Sequence, residues 1–223
     1  MIRKIVRNII PIQFRSMIQR LRGRSVYHDY YLMHRCIFIH IPKSAGQSIS
    51  LALFNDKHPG HYSIKKFEWE SPKKKEAYFK FTVVRNPWDR LYSAYNYLTK
   101  FTPYKSDQEF SEKYLSEYKS FEDFILNGLK KKEISSWVHF RPQSDFLLDS
   151  KGNFDIDYVA RFENIEDGFL DIAKRLDVDV PKLQKVNSSN RDSKSYKKHY
   201  SQDTIRIVAK HYENDIKLLN YEF

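Results

Sequence analysis

The sequence predicts an α/β fold of three layers, with helices on both faces of a mainly parallel central sheet. Three observations carry this prediction. Residues 36–41, 79–84 and 158–162 are short apolar runs rich in β-branched and aromatic side chains, and read as strands buried on both faces. Each run is followed by a capped or periodic helical stretch, the alternation that parallel sheets require. The composition is 41% hydrophobic and 16% aromatic over 223 residues, with only 6 Gly and 8 Pro. That supplies one sizeable core and excludes collagen-like, low-complexity and disordered chains.

Residues 1–33 form a basic amphipathic N-terminal segment, ahead of a single domain over residues 34–223. Of the chain's 39 Lys and Arg, seven lie in residues 1–24 (Arg3, Lys4, Arg7, Arg15, Arg20, Arg22 and Arg24), with none of its 28 acidic residues. The net charge of +11 is therefore concentrated at the start, and points to anionic partners. Ile2, Ile5, Val6 and Ile9, then Phe14, Met17, Ile18 and Leu21 after Pro11, recur on one helical face. Such a segment lies in a membrane interface or packs as a helix on the domain or on a second subunit, so peripheral membrane contact through residues 1–24 and a homodimer are both expectations. There is no uninterrupted apolar stretch with a small-residue cleavage site, and no apolar run reaches the ~20 residues that span a bilayer.

The elements of the domain follow in order. The first strand ends at Pro42, and a loop with Gly46 leads into a helix at residues 47–53. Residues 55–76 read as polar loop, with Lys73, Lys74 and Lys75 as a solvated run. After the second strand, Asn86 caps a helix whose first position is Pro87; Trp88, Leu91, Tyr92, Tyr95 and Leu98 supply its inner face. Residues 102–118 read as a tyrosine-rich loop with a short helix. Ser120 caps the helix that ends near Gly128. Phe169, Ile172, Ala173 and Leu176 form the stripe of the helix after the third strand. Residues 185–200 read as a mobile basic loop, a cover or an acceptor clamp, and Ser201 opens a final helix with Ile205, Val208, Ala209, Tyr212 and Ile216. The lone Cys36 excludes an internal disulfide and a cysteine zinc site.

The chemistry lies at two strand-to-helix turns. Residues 38–48 (Phe-Ile-His-Ile-Pro-Lys-Ser-Ala-Gly-Gln-Ser) place Lys43, a glycine and the Ser48 hydroxyl at a helix start, where unpaired N–H groups and the helix dipole favour an anion. Lys43 precedes the only glycine, and no first glycine or strand-terminal Asp for Mg²⁺ is present, so the nucleotidase loop G-x-x-x-x-G-K-[ST] is not matched. The second turn, Val84-Arg-Asn-Pro-Trp-Asp-Arg-Leu-Tyr-Ser93, sets Arg85 at the carboxyl end of its strand, where open α/β sheets bind ligands. An arginine fork with the Ser93 hydroxyl suits a terminal phosphate. Alternatively, Arg85 pairs with Asp89 or Glu163 and Ser93 is a packing residue.

Residues 41–48 resemble the 5′-phosphosulfate loop of sulfotransferases that use 3′-phosphoadenosine 5′-phosphosulfate (PAPS), and residues 84–95 resemble their 3′-phosphate element. The chain is most similar to the carbohydrate O-sulfotransferases of the heparan 2-O- and chondroitin type. His139-Phe-Arg-Pro-Gln143, Ala160-Arg-Phe-Glu-Asn164 and the closing Asp215 to Tyr221 extend the resemblance over residues 36–221. It implies a P-loop-like sulfotransferase fold and an in-line sulfuryl transfer from PAPS to a carbohydrate hydroxyl, with adenosine 3′,5′-bisphosphate (PAP) as product and no metal required. It also implies that Lys43, Ser44, Ala45, Gly46, Gln47 and Ser48 hold the 5′-phosphosulfate, Arg85 and Ser93 the 3′-phosphate, and that Lys43 neutralises the departing oxygen. Ser44 and Gln47 stand where the family typically has threonine.

The transfer needs a base for the hydroxyl proton. His61, in a segment similar to the histidine-bearing segment of the 2-O-type enzymes, is the first candidate, His139 the second and His40 the third; imidazole suits the role because its ordinary pKa is near neutrality. The competing classes are a P-loop nucleotide kinase or NTPase and a basic nucleic-acid-binding module. No helix-turn-helix, zinc-finger or RNP signature supports the latter, so no nucleic-acid partner is expected. The expected partner is a carbohydrate, neutral or anionic. Animal Golgi members carry a membrane anchor and luminal disulfides, and neither pattern is present here, so a cytoplasmic enzyme at the inner face of the plasma membrane is expected.

Overall fold

A computed structural model describes residues 11–55, 59–179 and 195–223. The element order is α1 (Ile12–Leu21), α2 (Asp29–Met33), β1 (Cys36–Ile39), α3 (Gly46–Phe54), α4 (Ile64–Glu70), α5 (Pro72–Ala77), β2 (Phe79–Val84) and α6 (Pro87–Asn96), which runs into a π turn at Tyr97–Phe101. Then come α7 (Lys105–Tyr114), α8 (Phe121–Asp123) with a π turn at Phe124–Gly128, α9 (Lys132–Ser135), α10 (Ser144–Leu147) and β3 (Tyr158–Arg161). The chain closes with α11 (Ile165–Arg175), a 3₁₀ turn at Lys197–His199, α12 (Gln202–His211) and α13 (Glu213–Leu219). No helix among the described residues is long and apolar enough to cross a membrane.

The sheet is small and parallel, in the order β1-β2-β3, with Phe38 opposite Phe81 and Val83 opposite Ala160. Parallel ladders need crossovers, and helices supply both here. The sheet core joins Ile37, Phe38, Ile39, Phe81, Val83 and Val84 to Ile49 and Leu53 of α3, Ile64 and Phe67 of α4, and Phe169, Ile172 and Ala173 of α11. A second core sits among helices: Trp88, Leu91 and Leu98 pack with Phe110, Phe124, Phe140, Val208 and Tyr212. The carboxyl ends of β1 and β2 lead into the two turns where the sequence places its chemistry.

The structure departs from the sequence reading in four places. Residues 55–76 include two helices, α4 and α5, of seven and six residues. They are too short to stand on propensity, and buried Ile64 and Phe67 hold α4 in place. Lys75 is not solvated: it is buried and paired with Asp155 and with Asp149 at 3.8 Å. Residues 102–118 contain a ten-residue helix, α7, anchored by buried Phe110. The final helix breaks at Tyr212 into α12 and α13; the Ser201 cap is present, closed with Thr204 into a reciprocal capping box. Ile2, Ile5, Val6 and Ile9, and Arg191 and Lys194 of the basic loop, lie outside the described residues.

Candidate active site

The first turn is strained and open to an anion. After β1, Lys43 and Ala45 both take left-handed backbone conformations (φ 68° and 59°), which L-residues adopt at a cost of about 1–3 kcal/mol each. Ala45 is the cap of α3 and has no side chain to accept from the first N–H groups. Ser44 is 1% exposed, and its Oγ has no hydrogen-bond partner. Gly46 is required for a reason the sequence did not reveal: a Cβ there would stand 1.8 Å from Cδ2 of His40. Gln47 is partly exposed and Ser48 buried in the first turn of α3. An uncapped helix start with an orphaned hydroxyl and a lysine is a receptor for a tetrahedral anion.

The second turn is built the opposite way. Gln143 brackets Arg85, accepting from its N–H at 3.0 Å and donating to its carbonyl at 2.8 Å. Buried Asp215 fixes Gln143 by accepting from the N–H groups of Gln143 and Ser144, both at 2.7 Å. Glu163 accepts from the N–H of Asn86 at 2.7 Å and from the Tyr221 hydroxyl at 3.0 Å. Asn86 caps α6 by accepting from Trp88 N–H and donates to the Glu222 carbonyl. The three weaker segments of the sequence resemblance are thus the scaffold of this turn.

Arg85 meets the first turn directly. Its Nη1 donates to the Lys43 carbonyl at 2.9 Å, its Nε donates to Asp89 Oδ2 at 2.7 Å, and its guanidinium lies 3.9 Å from the Phe162 ring centroid. Of the two acidic partners open in the sequence, Asp89 is the one used. Ser93 lies further along α6, partly exposed. Fully buried Arg90 ties the same two regions together, donating to the carbonyls of Pro42 (3.1 Å) and Arg141 (2.6 Å). Sequence reading missed Arg90, because an arginine inside an apolar helical stripe gives no sign of the loops it will tether.

Three histidines gather beside the Lys43 turn. The His40 and His61 ring centroids are 4.3 Å apart, and those of His61 and His139 are 6.0 Å apart. His40 Nδ1 donates to the Gly60 carbonyl at 3.0 Å, and His61 Nδ1 donates to the His40 carbonyl at 3.2 Å. Since a carbonyl only accepts, both rings carry their proton on Nδ1, and the Nε2 lone pair of His61 is left to take one. Burial pushes His61 down to about 4, so it is neutral at pH 7. His139 Nε2 donates to Asp107 Oδ2 at 3.2 Å, which leaves its buried Nδ1 as an acceptor without a partner.

Asp107 and Tyr97 complete the cluster, and Asp107 was not singled out as a site residue from the sequence. Asp107 Oδ2 accepts from His139, from Tyr97 (3.3 Å) and from Thr102 (3.3 Å). Burial raises the Asp107 carboxyl, but these bonds bring it below its ordinary range. Lys43 Nζ sits 3.8 Å from the Tyr97 ring centroid, a cation–π contact. Burial, then the charge of Arg85, lowers Lys43 to about 8. The only sequence sign of Tyr97 is its place among the helix's tyrosines, and Asp107 lay in what read as loop.

A model of the sulfotransferase family matches residues 33–222. No curated protein and no solved structure gives a significant match. The match covers both turns, the histidine cluster and the scaffold around Arg85, and family membership assigns the chain to sulfuryl transfer. This chain belongs to the sulfotransferase family.

Proposed function

We propose that the enzyme moves a sulfuryl group from PAPS to a hydroxyl of a carbohydrate acceptor, with His61 as the base. The observation that carries this reading is the tautomer of His61: a backbone carbonyl holds its proton on Nδ1, and the bare Nε2 belongs to a cluster that reaches the anion-receptive Lys43 turn through His139 and Tyr97. Lys43, Ser44, Ala45, Gly46, Gln47 and Ser48 would hold the 5′-phosphosulfate, and Arg85 with Ser93 the 3′-phosphate. The orphaned Ser44 hydroxyl and the uncapped start of α3 fit such a group. When bound, the donor supplies a sulfuryl group activated by a phosphate leaving group.

The chain's own residues then have separate tasks. His61 takes the acceptor's hydroxyl proton at Nε2, which an alcohol requires because it is a weak nucleophile while protonated. Lys43 places positive charge where negative charge grows on the donor side. Asp107 holds His139 by its Nε2–H and keeps its Nδ1 pointed as an acceptor. The carbohydrate acceptor rests on the resemblance of residues 36–221 to carbohydrate O-sulfotransferases.

Two measurements test the reading. PAP should raise the melting temperature, by about 2.7 kcal/mol of stabilisation at 100 times its dissociation constant, while ATP should do far less. Labelled sulfate from PAPS should appear on a member of a glycan panel. Equal stabilisation by ATP, or transfer to no sugar hydroxyl, would overturn the proposal.

A further inference from the structure

Helix α1 faces the wrong way for a helix that serves only the fold. Its apolar residues Phe14, Met17 and Leu21 recur at the spacing of one helical face and are 45%, 53% and 80% exposed. Ile18 beside them is half-buried, and cations make the contacts that tie the helix to the domain. Arg15 donates from Nη1 to the Trp69 carbonyl at 3.2 Å and lies over the Trp69 ring, while Arg20 pairs with Asp29 at 3.0 Å. An amphipathic helix docked by its cations leaves its apolar stripe exposed among the described residues.

Charge identifies the occupant. Arg22 and Arg24 are exposed just after the stripe, and Lys66 and Lys74 flank the helix's docking site: Lys66 lies over the same Trp69 ring, and Lys74 is lowered by burial and then by the charge of Arg20. Asp29, an acidic side chain against α1, is already paired with Arg20. In a symmetric dimer this patch would meet itself and bring like charges together around the seam. An anionic bilayer surface receives apolar side chains at the acyl boundary and cations at its phosphates.

We propose that α1 is a membrane-docking element that inserts Phe14, Met17 and Leu21 into the interface of an anionic bilayer, with Arg22 and Arg24 on its headgroups. This is independent of the acceptor assigned above. The test is co-sedimentation of the full chain with vesicles of phosphatidylglycerol in phosphatidylcholine, against phosphatidylcholine alone, with sedimentation velocity of the free protein. Binding to the anionic vesicles only, weakened at least tenfold in the Phe14→Ser/Met17→Ser/Leu21→Ser variant and in Arg22→Glu/Arg24→Glu, supports the proposal. The substituted side chains are exposed, so both variants should keep the wild-type melting temperature. No binding to anionic vesicles, binding unchanged in both variants, or a solution dimer that the triple variant dissociates would overturn it. The last outcome would assign the stripe to a second copy.

Discussion

The two strand-to-helix turns begin alike, each an apolar strand running into a helix, yet they are held in opposite ways. The Lys43 turn carries two left-handed residues, an uncapped helix and an orphaned hydroxyl. The Arg85 turn has a capped helix with proline at its first position, and its backbone is bonded by Gln143 and Glu163. One turn keeps its polar groups for a ligand, whereas the other has spent them on the fold and offers a positioned guanidinium. The difference implies that substitutions around Arg85 act on stability, and those around Lys43 on binding and turnover.

The largest expected effect lies on the side of the first turn. His61→Ala should lower turnover by ~10²–10⁴ with PAP affinity nearly unchanged; near-wild-type turnover would remove His61 from the base role. On the other side, Asp215→Ala leaves two buried N–H groups unsatisfied and should cost roughly 2–4 kcal/mol in denaturant unfolding. A variant as stable as wild type would mean that the second turn is not held by this scaffold.

Acid separates the regions further. The unfolded histidine near 6.5 takes protons that native His61 refuses until about 4, so stability is full above pH 6.5 and falls as the pH drops through that window. His61 accounts for on the order of 3 kcal/mol at the acid end, and burial lowers His40 and His139 in the same direction. Melting temperatures between pH 7 and pH 4 measure this, and His61→Gln should flatten the profile.

Two smaller effects sharpen the contrast. Arg85→Ala should weaken PAP binding by roughly 1.5–3 kcal/mol, the range of hydrogen bonds to charged groups, while binding of the analogue without the 3′-phosphate changes little. Equal losses for both ligands would detach Arg85 from the 3′-phosphate. Ser44→Ala should cost roughly 0.5–1.5 kcal/mol of PAP affinity and leave the melting temperature unchanged or raised, because it removes an orphaned hydroxyl. A clear loss of stability instead would make Ser44 part of the fold.

Local chemistry by itself determined the three strands, the caps at Asn86, Ser120 and Ser201, and the two turns, since strand periodicity, capping side chains and N-terminal helix geometry are set within a few residues. Tertiary structure decided the rest. It made Gly46 a seat for the His40 ring, turned Gln143, Glu163 and Asp215 into the frame of Arg85, and brought Asp107 and Tyr97 to His139 and Lys43. Apart from Gly46 and His40, which share one turn, these partners lie tens of residues apart and meet only when the helices close over the sheet. Burial then fixes which hydrogen bonds each group makes, and no pattern along the chain encodes that choice.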